Sequence, residues 1–292
     1  MPSKHLPIFR IQDFDAQTRR EQYFYLNYFA NHLQEHQFIQ KPHKHNFYIV
    51  LLLTSGSGTH TIDFKTYTVQ PRTVYFLSPG QVHSWQLTPD ADGYIIFFTS
   101  EFYLWGHPQN KLYDFPFFNA LLHRPLLQVT EADEVRLSKI IRSIMREHVD
   151  KQPKKEDIIR DYLDILLILL TRMYQAQNPE EYVSSGELLQ LHNLENLIDR
   201  HYKAHQPVSF YADQLHVTAK QLNESSKRTI GKTVKELIQR RVVLEAQRLL
   251  VHSSLTITQV AAELGYFDNS YFSRFFKNHV GQTPEQFRSD HQ

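Results

Sequence analysis

The sequence predicts an α+β protein in which an N-terminal antiparallel β-barrel precedes a helical pair and an all-helical C-terminal domain. Between about residues 8 and 128, short β-type runs such as Phe47–Thr54 and Val82–Leu87 alternate with turn signals such as Ser55–Gly58. From Glu131 onward the apolar spacing is helical. The expected divisions are a barrel at 1–130, a helical pair at 131–177, a linker at 178–187 and a C-terminal domain at 188–292.

Composition excludes several classes of protein. The chain contains no cysteine, which rules out disulfides, thiolate metal sites and a cysteine nucleophile. With 32 Lys+Arg against 31 Asp+Glu, bulk charge does not indicate a nucleic-acid binder. Met1–Arg10 lacks the pattern of a signal peptide, and the apolar run Ile165–Leu170 is far shorter than the roughly 20 residues of a membrane span. We therefore expect a cytoplasmic protein with no membrane partner.

The helical pair is apolar on more than one side. Its second helix, about Lys155–Tyr174, includes the run Ile165–Leu170 and has few polar positions there. A helix that is apolar all round has to be covered on more than one side. The barrel would cover one side, and a second copy of the pair would cover the other in a homodimer. The alternative is that the whole surface belongs to the core of one chain.

A helix-turn-helix pattern is clearest near the C-terminus. Gly265 can end a first helix with a positive φ, and Asp268 is placed to cap a second helix, Asn269–His279. The first helix has apolar residues at i, i+3, i+4 and i+7, namely Ile257, Val260, Ala261 and Leu264. The outer stripe of the second helix has short polar side chains followed by cations: Ser270, Ser273, Arg274 and Lys277. Such a stripe fits a helix that enters the major groove, although any helical hairpin would share the inner pattern.

The same helix-turn-helix pattern occurs once earlier in the sequence, with a less clear difference between its apolar and polar faces. Phe210–His216 predicts a short helix, Thr218 caps a second helix, and Gly231 ends it. The outer face of that second helix is expected to hold Lys220, Gln221, Asn223, Glu224 and Lys227. One long helix, Val234–Val251, joins the two units.

With this arrangement, residues 190–290 resemble the DNA-binding domain of the AraC/XylS family of bacterial regulators. The most specific match is the run from Gly265 through Lys277 to Gly281 and Pro284. The resemblance implies two recognition helices about one DNA turn apart on double-stranded DNA, a small-molecule effector, a homodimer, and RNA polymerase as a further candidate partner. It assigns DNA contacts to Thr218, Lys220, Gln221, Asn223, Glu224, Lys227, Arg241, Asn269, Ser270, Tyr271, Ser273, Arg274 and Lys277.

Two positions depart from that family's pattern. Ser225 and Ser226 stand where an apolar pair is usual, which predicts looser packing of the first unit. Glu224 stands where a cation is common, and a carboxylate near phosphates weakens binding unless it accepts from a cytosine amine. We therefore expect the second unit to be at least as important for affinity.

Residues 40–100 resemble a cupin-type sensor domain. The resemblance rests on His43-Lys-His45 before a strand, on the glycines of Ser55–Gly58, and on Pro79–His83 before another strand. A barrel of this size holds one small ligand, for which aromatic side chains suit a sugar or an aromatic compound. The candidate effector-binding residues are His43, His45, Tyr48, His60, His83 and Trp85.

The barrel histidines leave three interpretations open. They could line a metal-free pocket, serve a structural role, or bind a metal through three imidazoles. Cupin enzymes usually supply a glutamate after the histidine pair, but residues 46–50 contain no carboxylate. We therefore expect no metal, no cofactor and no enzymatic activity. The rival hypothesis is a metal-dependent cupin enzyme with a helical appendage.

Overall fold

The computed structural model describes residues 6–14, 23–36, 41–105, 112, 115–118, 124–150, 152–178 and 185–291. Contacts between Cα atoms divide the chain into two compact units, with the main division between Tyr182 and Val183. After the roles that the resemblance implies for them, we call the N-terminal part, Pro7–Tyr182, the sensor unit and the part after it the DNA unit. No helix within the described residues has the length and hydropathy to span a membrane.

The sensor unit contains two five-stranded sheets. The strands are β1 (Ile8–Phe9), β2 (Phe24–Tyr28), β3 (His43–His45), β4 (Tyr48–Ser55), β5 (Gly58–Ile62), β6 (Lys65–Val69), β7 (Thr73–Leu77), β8 (Val82–Leu87), β9 (Asp92–Phe98) and β10 (Leu126–Gln128). The first sheet has the order β1-β3-β8-β5-β6 and the second has the order β10-β7-β4-β9-β2. Both sheets are open, and they face each other across a shared core. The α+β class is confirmed.

The helices of the sensor unit are α1 (Phe29–Glu35), α2 (Ser100–Leu104), α3 (Glu131–Val149) and α4 (Lys155–Gln177). Those of the DNA unit are α5 (Ser185–His201), α6 (Val208–Gln214), α7 (Ala219–Ile230), α8 (Val234–His252), α9 (Ile257–Glu263), α10 (Asn269–Val280) and α11 (Pro284–His291). The predicted helical pair and both helix-turn-helix units are therefore present.

The second sheet is buried on both faces, which explains why β4 is an almost unbroken apolar run. Ile49, Leu51 and Leu53 point into the core between the two sheets. Val50 and Leu52 point the other way, into a core shared with α3 and α4. Because successive side chains of a strand alternate, each core takes every second residue of β4.

The helical pair buries most of its apolar residues within its own chain. Leu163, Leu167 and Leu170 of α4 belong to the core that α4 shares with the sheet. Three isoleucines on the same helix remain exposed, Ile158 at 38%, Ile165 at 47% and Ile168 at 38%. The core within one chain therefore covers α4 only in part.

In the DNA unit, α8 is the central element. It contacts α5, α7, α9, α10 and α11. Its buried residues include Leu237, Val242, Ala246 and Leu250. Each helix-turn-helix unit therefore packs on one shared helix.

Candidate nucleic-acid interface and sensor core

The second helix-turn-helix unit has the end signals that its sequence predicts. Gly265 has a φ of +82°, and a Cβ there would lie 2.0 Å from the backbone oxygen of Lys203. The Asp268 carboxylate accepts hydrogen bonds from the backbone N–H groups of Ser270 (2.7 Å) and Tyr271 (3.2 Å) and so caps α10. The turn and the start of α10 are thus fixed by two specific residues.

The outer face of α10 is exposed and makes few contacts within the chain. Asn269, Ser270, Tyr271, Arg274 and Lys277 are exposed, while Ser273 is half-buried. In the described structure, one of these side chains makes a hydrogen bond: Arg274 Nε donates to the Ser270 carbonyl at 3.3 Å. Behind this face, Phe272 and Phe276 are fully buried. The helix is therefore held from one side and free to bind on the other.

One aromatic residue of this surface was missed by sequence reasoning. Phe267, in the turn before the cap, is fully exposed. Tyr271 follows one helical turn later, and its ring lies 5.9 Å from that of Tyr266. The motif gave no signal here, because the pattern of buried positions says nothing about an apolar side chain left in solvent.

The first unit uses more of its polar side chains internally. Thr218 caps α7, and the Gln221 side chain accepts from the Thr218 backbone N–H (3.0 Å) in a capping box. Lys220 lies 3.9 Å from Glu224 in an exposed ion pair. Lys227 is also exposed.

Asn223 was expected on the outer face of α7, and this placement is corrected. Its Nδ2 donates to the Ala219 carbonyl (3.1 Å) and its Oδ1 accepts from the Val234 backbone N–H (3.1 Å). Val234 is the first residue of α8. Asn223 therefore links the recognition helix to the start of the central helix instead of pointing outward.

The two serines of α7 are hydrogen-bonded, so the expected loose packing is not what the structure has. Ser226 is buried, and its hydroxyl donates to the Lys232 carbonyl at 2.6 Å. Ser225 donates to Gln190 on α5 at 2.7 Å. Arg228 binds Glu187 of α5 through two nitrogens, at 2.9 and 2.7 Å.

Arg241 was assigned to DNA, but the structure encloses it. Its Nε donates to Asp199 at 2.6 Å and its Nη1 donates to Glu245 at 2.9 Å. The guanidinium also lies 4.3 Å from the centre of the Tyr202 ring. Burial opposes the charge, but Glu245 and Asp199 outweigh it and raise the pKa of Arg241. Arg241 thus joins α5 to α8 in this structure, and its assignment as a DNA contact stays a prediction.

A segment before α6 joins the first helix-turn-helix unit to the second, which the sequence did not indicate. Lys203 binds Glu263 of α9 at 2.5 Å. His205 Nε2 bonds to the Leu264 carbonyl at 2.9 Å, and its ring lies 4.5 Å from that of Tyr266. These contacts join residues about sixty positions apart, so no local pattern could predict them. With α8, they fix the first unit against the second.

In the sensor unit, strand pairing brings four predicted residues together. His43 of β3 pairs with His83 of β8, and His60 of β5 pairs with Trp85 of β8. The ring centres of His43 and His83 are 4.3 Å apart, and those of His45 and His83 are 5.1 Å apart. His60 stacks on Trp85. We call His43, His45, His60 and His83 the imidazole cluster.

The imidazole cluster is buried and neutral. His43 and His45 hydrogen-bond through Nδ1 to the carbonyls of Lys41 and Phe47, and His60 Nε2 lies 3.2 Å from His83 Nδ1. Among the described residues, His45 Nε2, His60 Nδ1 and His83 Nε2 have no hydrogen-bond partner. Burial lowers the pKa of His45 to about 3 and lowers those of His43, His60 and His83 as well. Unpartnered nitrogens in a buried site are free to bind a polar ligand.

Tyr48 does not belong to this cluster, which corrects its expected position. Its ring lies 5.4 Å from Phe98 and 4.8 Å from Phe118, against the core on the other face of the sheet. A shift of one residue along a strand reverses the side on which every side chain lies, and the sequence did not fix the register of β4. His43 and His45 form the short strand β3, directly before β4.

A metal site in the imidazole cluster is one of the interpretations that the sequence leaves open. Within the described part of the chain, no group of three or more His, Asp or Glu side chains is placed to hold a metal ion. The Nδ1 atoms of His43 and His45 donate to backbone carbonyls, which fixes the tautomer of each ring. These hydrogen bonds do not by themselves bring three Nε2 atoms to one point.

Comparisons with known proteins match both units. A family model described as an AraC-like ligand binding domain matches residues 23–157, and one described as a helix-turn-helix domain matches residues 211–290. The HTH-type transcriptional activator RhaR of Escherichia coli is 24% identical over 250 residues, which cover 84% of this chain and 86% of that protein. RhaR of Cronobacter sakazakii is 22% identical over 246 residues.

Solved structures give weaker matches. ToxT of Vibrio cholerae aligns with 91% of this chain and 98% of its own at 13% identity and a TM-score of 0.42. The C-terminal domain of the response regulator yesN of Fusobacterium nucleatum aligns with 32% of this chain and 93% of its own, at 24% identity and a TM-score of 0.31.

Proposed function

We propose that this chain is a transcription regulator of the AraC type and that its second helix-turn-helix unit makes most of its base-specific contacts. Its two parts match models of an AraC-like ligand binding domain and a helix-turn-helix domain, which supports DNA binding that an effector controls. What remains to be assigned is which residues contact DNA, where the effector binds and how two chains associate.

The exposed outer face of α10 is the observation that carries this proposal. Asn269, Arg274 and Lys277 are exposed and unpaired with other side chains in the described structure. Arg274 can donate two hydrogen bonds to guanine, and Asn269 can bind adenine in the same bidentate way. On α7, by contrast, Gln221 and Asn223 use their side chains within the unit. Lys220 and Lys227 then supply phosphate contacts.

Selection of the genomic DNA fragments that bind the full chain tests whether α10 makes base-specific contacts and α7 makes phosphate contacts. The wild-type motif should contain two segments, with the stronger base preference in the segment under α10. Repeating the selection with Arg274→Ala should erase the preference at one or two adjacent positions. Repeating it with Lys220→Ala should lower recovery and leave the motif unchanged. Equal base preference in both segments that neither variant alters would contradict the proposal.

We further propose that α4 pairs with α4 of a second copy. Ile158, Asp161, Ile165, Ile168 and Arg172 form one exposed stripe along this helix. Antiparallel pairing about a point between residues 166 and 167 sets Ile165 of one chain opposite Ile168 of the other. The same register sets Asp161 opposite Arg172. The stripe is thus self-complementary in both shape and charge, as a two-fold interface requires.

Sedimentation equilibrium of three variants tests the dimer. Ile165→Asp should yield monomers, whereas Val149→Asp, which places the same charge at an exposed apolar position outside the stripe, should not. Asp161→Arg should weaken association, and adding Arg172→Asp should restore it. If the double variant is as weak as the single one, the antiparallel register is wrong.

The imidazole cluster is our proposed effector site. Its unpartnered nitrogens can donate to or accept from hydroxyl groups, and Trp85 is an aromatic neighbour of the cluster. Both features suit a sugar or an aromatic compound. A thermal-shift screen of pentoses, hexoses and deoxyhexoses tests this. A compound that stabilises the wild type should fail to stabilise His83→Phe, whose DNA affinity without effector should be unchanged.

Three further assignments rest on the regulator function. A regulator has to reach chromosomal DNA, so we propose that the chain works in the cytoplasm. RNA polymerase is its proposed protein partner at a promoter. We propose no catalytic activity, and stoichiometric metal with turnover in purified protein would overturn that assignment in favour of the cupin-enzyme hypothesis.

A further inference from the structure

We propose that the sensor unit has a second ligand site, outside the two-sheet core, that binds a small acid with an apolar body. The site is a pocket of about 490 Å³ where β2, α2 and the adjoining ends of α3 and α4 meet. We call it the edge pocket. Its walls include Tyr23, Phe24, Phe102, Trp105, Ile159 and Arg160. Its volume lies within the usual range for small-molecule sites.

The walls of the edge pocket are aromatic and aliphatic. The rings of Phe24 and Phe102 lie 5.0 Å apart, and Ile159 is buried beside them. At the mouth, Trp105 is 72% exposed and Tyr23 is 44% exposed. Two large aromatic side chains left in solvent around an apolar pocket are unusual, and they give a planar or aliphatic body surfaces to stack on.

Arg160 supplies the polar side of the pocket. Its side chain is 5% exposed, and its guanidinium lies 5.3 Å from the centre of the Phe102 ring. One terminal nitrogen binds Asp157, and the other lies 3.9 Å from Glu156. Its Nε is buried and finds no acceptor in the part of the chain that the structure describes. A buried N–H donor without an acceptor indicates a ligand that brings an oxygen.

The charges around the edge pocket limit that ligand to one carboxylate, because Asp157 and Glu156 already lie against Arg160. Lys155, the first residue of α4, also lines the pocket, and no side chain caps this helix start. The positive end of the helix adds to the two cations. Glu101 and Glu156 at the rim oppose a second negative charge. An aryl-substituted short-chain acid meets each of these requirements.

The edge pocket and the imidazole cluster lie on opposite faces of the second sheet. Phe24, Phe102 and Ile159 belong to the core shared with α3 and α4, whereas Trp85 belongs to the core between the sheets. A ligand in the edge pocket would join β2 and α2 to the ends of α3 and α4. It would therefore act on the helical pair without entering the site that we propose for the effector.

The two tryptophans of the chain allow a direct test, because each reports on one site. In a Trp85→Phe variant of the full chain, titration with 3-phenylpropionate should shift and saturate the emission of Trp105, with a Kd of about 0.1–1 mM. In a Trp105→Phe variant, the emission of Trp85 should stay constant. If the Trp85→Phe variant does not fold, the wild-type emission minus that of Trp105→Phe gives the same signal.

Two comparisons decide the ligand class and the location. 3-Phenylpropionamide and phenethylamine should bind at least five-fold more weakly than the acid. By calorimetry, Trp105→Ala should weaken acid binding at least five-fold, while Leu104→Ala, a neighbouring exposed residue outside the pocket lining, should not. Absence of saturable binding, equal affinity for the amine, or equal loss in the Leu104→Ala control would each overturn the proposal. Acid binding that moves Trp85 but not Trp105 would overturn it and leave the effector site standing.

Discussion

The sensor unit and the DNA unit differ in where the side chains of their proposed binding sites lie. Among the described residues, three nitrogens of the imidazole cluster are buried without a hydrogen-bond partner. In the DNA unit, Asn269, Ser270 and Lys277 extend into solvent from a helix whose other face is fully buried. A buried unpartnered group costs stability until a ligand supplies its hydrogen bond, whereas an exposed one is hydrated and costs little.

The difference shows two ways in which a fold can accommodate a binding site, one that lowers the stability of the unit and one that does not. The sensor unit keeps its site at the expense of its own stability, so ligand binding should stabilise it measurably. The DNA unit separates the two requirements: residues such as Phe272 and Arg241 hold the framework, and other residues remain free for DNA.

Lowering the pH from 7 to 6 should destabilise the sensor unit far more than the DNA unit, and this is the largest effect that we expect. Burial lowers the pKa of His32 and of the imidazole cluster below the ordinary value of 6.5. The unfolded chain binds protons near pH 6.5 while the folded unit does not, so stability is fully present above that pH and falls below it. From pH 7 to pH 6 the five histidines together should lower the free energy of unfolding by up to about 3 kcal/mol.

Denaturant unfolding at the two pH values, followed through Trp85, measures this loss. In the DNA unit, burial lowers the pKa of His192 and raises that of Glu195, and these changes act in opposite directions. Its unfolding, followed by amide exchange, should therefore change little. His60→Phe should flatten the pH dependence of the sensor unit by one histidine. A sensor unit with no pH dependence would break the comparison.

Two glycine variants test whether the free face of α10 depends on the packing behind it. Gly265→Ala would combine a φ of +82° with a backbone oxygen 2.0 Å from the new Cβ, and should destabilise the unit by about 3 kcal/mol or more. Gly231→Ala has a φ of +68° and open space, and should cost about 1 kcal/mol. Thermal unfolding compares them, and equal losses would contradict the role of the Lys203 contact.

Arg274→Ala should weaken binding to the selected operator by about 1–3 kcal/mol, because the guanidinium is expected to bind a base edge. Binding to unrelated DNA should weaken much less. Arg136→Ala removes the same charge from an exposed position of α3 in the sensor unit and should leave both affinities unchanged. Mobility-shift titrations at two salt concentrations measure these affinities; an unchanged operator affinity for Arg274→Ala would remove it from the interface.

Glu224→Gln should have the smallest effect. Removing an exposed carboxylate beside the phosphates should strengthen binding to all DNA sequences about two-fold. Lys220→Gln, which neutralises the other member of the same ion pair, should weaken binding to a similar extent. If the two variants shift affinity in the same direction, the pair acts through the stability of α7 and not through charge.

Local signals in the sequence predicted the parts of the fold that depend on neighbouring residues. The caps at Thr218 and Asp268 and the positive φ values at Gly231 and Gly265 are confirmed. Strand Val82–Leu87 also has the expected bounds. Each of these features is determined within about four residues of chain, which a single sequence displays directly.

Features that depend on distant partners were not predictable in the same way. Asn223 has the side chain of a base-reading residue, and only the position of Val234 shows that its amide is occupied. Arg241 is enclosed because Asp199, 42 positions away, lies against it. Short strands such as β2 and β6 carry too few residues to show an alternation. The DNA-contact and effector residues themselves stay predictions.

The contacts of Lys203 and His205 with α9 and Tyr266 have a consequence for the operator. Because these contacts and α8 together hold the two recognition helices as one body, the chain can match only one helical phase of the duplex. One base pair inserted between the two half-sites rotates the second by about 34°, since a turn takes 10–10.5 base pairs. A rigid reader cannot follow that rotation, so this regulator should tolerate base changes in its operator better than changes in spacing.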